Sequence, residues 1–212
     1  MSVTADVPVA TLISRLQSAY PGASYELNWN TPLEMLIATI LAAQCTDERV
    51  NRVTQTLFVN YPDAQAYAQA DRSQLEQELK PTGFFRQKAN TVQNLCQALC
   101  DDFGGEVPRT MSEMLRLPGV ARKTANVVFA TCFNDPTGVI VDTHVARLSK
   151  RMGLSRQRKP DRIEDDLMAS VPRSEWTFFG PAMILLGRYV CKAKKPGCDG
   201  CMMADICPKI GV

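Results

Sequence analysis

His144 is the only histidine in the chain. With no second imidazole, it reads as a packing or phosphate-proximal residue, not as a metal ligand or general base. Long apolar runs are also missing. None reaches the ~18 residues that a membrane-spanning helix needs, which excludes a helical membrane protein. The opening segment MSVTADVPVA carries Asp6 and no basic residue before Arg15, unlike a secretory signal or a basic amphipathic presequence. Together these absences predict a cytoplasmic protein with reduced thiols, so Cys45, Cys96, Cys100 and Cys132 read as core residues and not as disulfide partners. Strand signals are scarce. No stretch alternates convincingly, and Val139-Ile140-Val141 is too short to seed a sheet. There is no low-complexity linker and no long repeat.

What is present is helix. A chain of 212 residues, 45% of them hydrophobic, can bury a substantial core in one domain or two small ones. Apolar spacing predicts helices at 9–19, 32–43, 47–59, 64–70, 73–80, 86–103, 111–116, 122–133, 143–152, 162–170 and 175–190. Capping boxes are read at Thr31/Glu34, Ser73/Glu76 and Thr110/Glu113, with Pro32 at a first helical position and Pro181 placed to kink the last helix. The turn-forming stretch 134–138 suggests a boundary between two helical lobes. The charge changes there too. Residues 1–141 carry 11 Lys+Arg against 14 Asp+Glu, and residues 142–212 carry 13 against 8, so a net +2 hides a −3 part and a +5 part. The basic residues cluster as Arg147/Lys150/Arg151, Arg156/Arg158/Lys159 and Lys192/Lys194/Lys195. A solvated face is the ordinary reading of one such cluster, but a one-sided basic surface suits nucleic acid.

Cys191, Cys198, Cys201 and Cys207 stand in a C-x6-C-x2-C-x5-C pattern, close enough to close around one metal centre. Zinc and a [4Fe–4S] cluster compete. Structural zinc sites usually join two C-x2-C knuckles across a longer gap. Here only Cys198/Cys201 is a knuckle, which favours one compact cluster.

A second motif runs Leu115-Arg116-Leu117-Pro118-Gly119-Val120-Ala121-Arg122-Lys123-Thr124-Ala125. It reads as helix, Pro-Gly turn, helix. The turn points the first N–H groups of the second helix outward, where they and the helix dipole suit a phosphate. Such contacts position DNA without reading its sequence. A lone helix lysine usually just faces solvent. Lys123, however, sits where the dipole and Arg122 disfavour another cation, and an amine without its proton is a nucleophile. Asp142 follows an apolar stretch and opens a helix. It reads as an N-cap, a role compatible with a preorganised carboxylate.

Taken together, these motifs resemble the bacterial endonuclease III family, iron–sulfur DNA glycosylases of the helix-hairpin-helix superfamily. The resemblance covers roughly residues 10–208. It also takes in Leu27-Asn28, Ala43-Gln44 with Thr46-Asp47, Gly83-Phe84-Phe85 ahead of Lys88-Ala89, Val141-Asp142-Thr143-His144 and Gly187-Arg188. It implies an all-α fold of two domains with the active site in the cleft between them. One is a six-helix barrel over 25–136, with the helix-hairpin-helix at about 111–133. The other is discontinuous, 1–24 with 137–212, and carries the cluster loop 191–207. It implies a monomeric base-excision repair enzyme that removes oxidised pyrimidines from double-stranded DNA and cuts the abasic strand by β-elimination. Lys123 would be the nucleophile and Asp142 the catalytic carboxylate, with the four cysteines ligating [4Fe–4S]. Gln44 would fill the gap left by the extruded nucleotide, and Phe84 would wedge into the stack. Gly119, Ala121, Arg122, His144, Lys192, Lys194 and Lys195 would also face DNA. Ala121 stands where the family usually has a second hairpin glycine, Phe84 where leucine is common, and Cys45 where alanine is common. Adenine-mismatch glycosylases share the hairpin and Asp142 but normally lack the lysine. A non-catalytic DNA-binding or redox module, and a zinc-stabilised structural protein, are the readings from other classes.

Overall fold

A computed structural model describes residues 7–212; residues 1–6 of the expected first segment lie outside the described residues. Among the described residues there are eleven α-helices, two 3-10 turns and no strand. The helices are α1 (Val9–Ala19), α2 (Pro32–Leu41), α3 (Asp47–Asn60), α4 (Ala64–Ala68), α5 (Arg72–Leu79), α6 (Phe85–Phe103), α7 (Met111–Met114), α8 (Arg122–Cys132), α9 (Thr143–Arg151), α10 (Pro160–Ser170) and α11 (Trp176–Tyr189). The chain divides into two compact units. Glu26–Phe133 forms one, and the described residues up to Tyr25 together with Asn134–Val212 form the other.

In the Glu26–Phe133 unit α2 is apolar nearly all round. It buries Met35, Leu36, Ile37, Ala38 and Leu41, as a central helix must. α6 and α8 pack on it with Ala89, Val92, Leu95, Leu99, Ala125, Val128 and Phe129 buried. α4 and α5 cover the other side of α6. The second unit has its own core, in which Leu12 and Leu16 of α1 join Val145 and Leu148 of α9 and Phe179, Met183 and Leu186 of α11. Val139 and Val141 are buried there without strand pairing.

Thr31 and Thr110 cap as the sequence suggests, accepting from the N–H groups of Glu34 and Glu113 at 3.2 and 3.3 Å. Ser73 does not. Asp71 is the cap of α5, accepting from the Gln74 N–H at 2.8 Å, because it stands just before the helix in extended conformation, whereas Ser73 already lies in the first turn. α10 begins two residues earlier than the periodicity indicated, since Pro160 occupies the first turn, where its missing N–H costs nothing. α2 ends at Leu41 because residues 42–45 fold into a tight turn with Gln44 left-handed at φ 54°. α11 runs through Pro181.

Candidate active site and nucleic-acid interface

The hairpin is built by α7, a seven-residue connection (115–121) and α8. The Val120 N–H returns to the Leu117 carbonyl at 3.2 Å, and Gly119 is left-handed at φ 76°. A Cβ at Gly119 would lie 2.2 Å from Cγ2 of Thr91 on α6, so glycine is demanded twice, by conformation and by space. Ala121 is different. It is extended at φ −94° and caps α8 without a side-chain bond. Position 121 therefore does not need glycine for its backbone. With no capping oxygen, the first turn of α8 turns its N–H ends outward. Lys123 lies in that turn, exposed.

Gln44 and Phe84 are both exposed, and both are non-glycine residues in the left-handed region, at φ 54° and 47°. Phe84 keeps 62% of its surface exposed, which fits a side chain waiting for a partner better than a core phenylalanine. Gln44, Phe84, Gln87, Thr91, Gly119 and Thr124 line one open pocket. Three of the residues assigned to DNA by sequence are thus brought together on one face of the Glu26–Phe133 unit.

Asp142 belongs to the other unit. It is half-buried and caps α9, and its Oδ1 accepts from both the His144 and Val145 N–H groups at 2.8 Å. The cap engages one carboxylate oxygen and leaves the second outside it. Tyr25 is the nearby surprise, as no sequence signal marked it. Its hydroxyl is buried with no hydrogen-bond partner among the described residues. Burial first, and then the charge of Asp142, push its phenol well above the usual tyrosine range. His144 Nδ1 faces Arg147 Nη2 at 3.1 Å. A guanidinium can only donate, so Nδ1 is the acceptor of this contact. Gly187 makes room for this pair, since a Cβ there would lie 2.8 Å from the His144 Cβ.

All four cysteines of the C-x6-C-x2-C-x5-C run line one pocket, next to α9. None is in a disulfide. Burial chiefly raises the Cys201 thiol, the Met203 N–H lowers it, and the other three sulfurs raise it further, within a set of four sulfurs. Arg151 faces it, donating to Cys191 Sγ at 3.3 Å and to the Lys192 and Ala193 carbonyls at 2.7 and 3.0 Å. Arg147 donates to the Cys191 and Gly187 carbonyls at 3.0 and 2.9 Å. This corrects the reading of Arg147 and Arg151 as basic surface, while Lys150 between them stays exposed. Arg151 is only 7% exposed, and both arginines work inward, holding the loop. Among the described residues no group of three or more His, Cys, Asp or Glu side chains is placed to hold a single metal ion. Lys192, Lys194 and Lys195 are exposed on the same loop, Lys195 left-handed at φ 54°.

The sequence profile of the HhH-GPD superfamily of base excision DNA repair proteins matches residues 37–173. Endonuclease III of Synechocystis sp. is 53% identical over 193 residues, 91% of this chain and 88% of that protein. The chain belongs to the endonuclease III family of the HhH-GPD superfamily.

Among solved structures, a non-covalent endonuclease III–DNA complex superposes with a TM-score of 0.90 at 42% identity, covering 95% of this chain and 94% of that one. A trapped endonuclease III–DNA covalent intermediate matches with the same TM-score at 41% identity and the same coverage. No helix among the described residues is long and apolar enough to cross a membrane.

Proposed function

We propose that this chain is a bifunctional DNA glycosylase and abasic-site lyase of base excision repair, acting as a monomer on oxidised pyrimidines in double-stranded DNA, with Lys123 as nucleophile and Asp142 as catalytic carboxylate. The observation that carries the reading is the likeness to endonuclease III trapped covalently on DNA, together with an exposed lysine in the first turn of the hairpin's second helix. The damaged nucleotide leaves the stack at a cost of a few kcal/mol, least for a weakly paired base. Phe84 and Gln44 offset the lost stacking. The Lys123 amine bonds to C1′ as the C1′–N bond to the base breaks, and the base departs with a proton. Asp142 stabilises positive charge developing on the sugar. The C1′–O4′ bond then breaks as O4′ takes a proton, and the ring-opened Schiff base that results acidifies the proton on C2′. Loss of that proton expels the 3′ phosphate by β-elimination. Backbone donors of the hairpin around Gly119, Ala121 and Arg122, together with His144, Lys192, Lys194 and Lys195, supply phosphate contacts.

Cys191, Cys198, Cys201 and Cys207 would hold a [4Fe–4S] cluster. Four sulfurs on one pocket, with Arg151 facing them, support that assignment. When bound, the cluster supplies iron–thiolate bonds that fix the loop's shape. Purified protein should then be yellow-brown with about four irons per chain; colourless active protein holding zinc would overturn the assignment.

Borohydride trapping on duplexes with single defined lesions tests the enzyme reading. The unmutated chain should give a covalent adduct on oxidised pyrimidines, and Lys123→Gln should bind DNA but give none. An adduct formed by Lys123→Gln at the normal rate would assign the nucleophile to another amine.

A further inference from the structure

We propose that Lys88 is a positioning residue whose buried ammonium clasps the two turns that carry Gln44 and Phe84, holding both side chains ready for the DNA stack. The inference rests on the reading of those two residues as the gap-filler and the wedge. Lysine is rarely buried unless its charge is satisfied, yet Lys88 on α6 is only 5% exposed. Its Nζ donates to the Leu41 carbonyl at 2.7 Å and to the Thr82 carbonyl at 2.8 Å. Leu41 is the last residue of α2, where carbonyls lack helical partners and the dipole is negative. Thr82 is buried and immediately precedes Gly83 and Phe84, both left-handed. Each carbonyl thus sits a few residues before a non-glycine residue in the left-handed region, a conformation that persists only where its surroundings enforce it.

One cation shared by two turns couples them. Opening either turn strips the buried ammonium of an acceptor, which is costly in a desolvated site. Burial already pushes the Lys88 pKa down, and the Cys45 sulfur acts the other way. Along the same face of α6, Thr91 packs against Gly119. Positions 84, 88 and 91 follow the helical i, i+4, i+7 spacing, so α6 sets the Phe84 turn, the Gln44 turn and the hairpin in one frame. Flipping needs wedge and gap-filler at the same moment, although they lie forty residues apart in sequence. A shared anchor provides that preorganisation.

The test is single-turnover base excision by Lys88→Met, which keeps the stem and removes the charge, on a lesion in a paired duplex and on the same lesion in an unpaired bulge. The paired substrate should slow on the order of 10- to 100-fold and the bulge far less, with trapping at a pre-formed abasic site retained. In a Gln44→Ala/Phe84→Ala background, Lys88→Met should add nothing. Equal losses on both substrates, or full additivity in that background, would overturn the proposal. Hydrogen exchange of the unmutated chain decides the case even if Lys88→Met does not fold. The Cys45 and Gly83 amides, each bonded within its own turn at 3.1 and 3.3 Å, should exchange through one common opening. Independent openings would refute the clasp. An unmutated chain that excises no lesion refutes the glycosylase reading alone and leaves the exchange result standing.

Discussion

Asp142 directs both of its cap bonds to one oxygen, which separates its structural work from its chemistry. Asp142→Asn keeps an acceptor for the α9 N–H groups and removes the charge. Excision should fall on the order of 10²- to 10⁴-fold while thermal unfolding moves little. Cleavage at a pre-formed abasic site should suffer less, because the sugar aldehyde there already faces Lys123. Equal damage to both steps would mean that Asp142 acts on the lyase chemistry itself. Of the cysteines outside the 191–207 loop only Cys96 is buried in the core, while Cys45, Cys100 and Cys132 are half-buried, short of the core placement that the sequence suggested. Burial pushes the Cys96 thiol up to about 12 and the Cys132 thiol up to about 11. A raised thiol pKa leaves the thiolate scarce at neutral pH and makes it appear only as pH climbs toward those values. Both residues should therefore resist iodoacetamide in the native protein at pH 7, as read by peptide mass, and modification should speed up with pH.

At the scale of elements, periodicity and caps identified each helix in the right place, since both are decided within a few residues. The ends moved where a competing local signal won: Asp71 over Ser73, Pro160 at a first turn, and the turn at 42–45 that cut α2 short. The hairpin depends on something no local pattern carries, the fit of Gly119 against Thr91. Gly119→Ala adds a left-handed alanine and a 2.2 Å clash with Thr91 Cγ2. It should cost about 1–3 kcal/mol of stability and weaken binding to damaged and undamaged duplexes alike. Thr91→Ser in the same chain should recover the clash portion and not the backbone portion. Full recovery, measured by thermal melts and anisotropy, would show that left-handedness at 119 is unimportant.

Across the whole molecule, charge counting from sequence overstated the free basic surface, because Arg147 and Arg151 are spent on carbonyls and on Cys191. Lys192, Lys194 and Lys195 stay exposed. Reversing Lys194 and Lys195 to Glu should weaken affinity for damaged and undamaged DNA together. It should also flatten the log–log salt dependence by about one unit for each phosphate no longer neutralised. A weakening confined to damaged DNA would move those lysines from phosphate binding to lesion recognition.

The sequence alone determined the all-helical class, the hairpin, the cysteine spacing and the candidacy of Lys123 and Asp142, because each is written in short runs of residues that are neighbours along the chain. Tertiary structure decided which basic residues face inward, why Gly119 is required and Ala121 tolerated, and that the Tyr25 hydroxyl lies buried within reach of the Asp142 charge. It also decided that Lys88, which by sequence sits on an ordinary helix, donates to carbonyls 47 and 6 positions away. Those outcomes turn on desolvation and on contacts between distant segments, and neither quantity exists until the chain has folded.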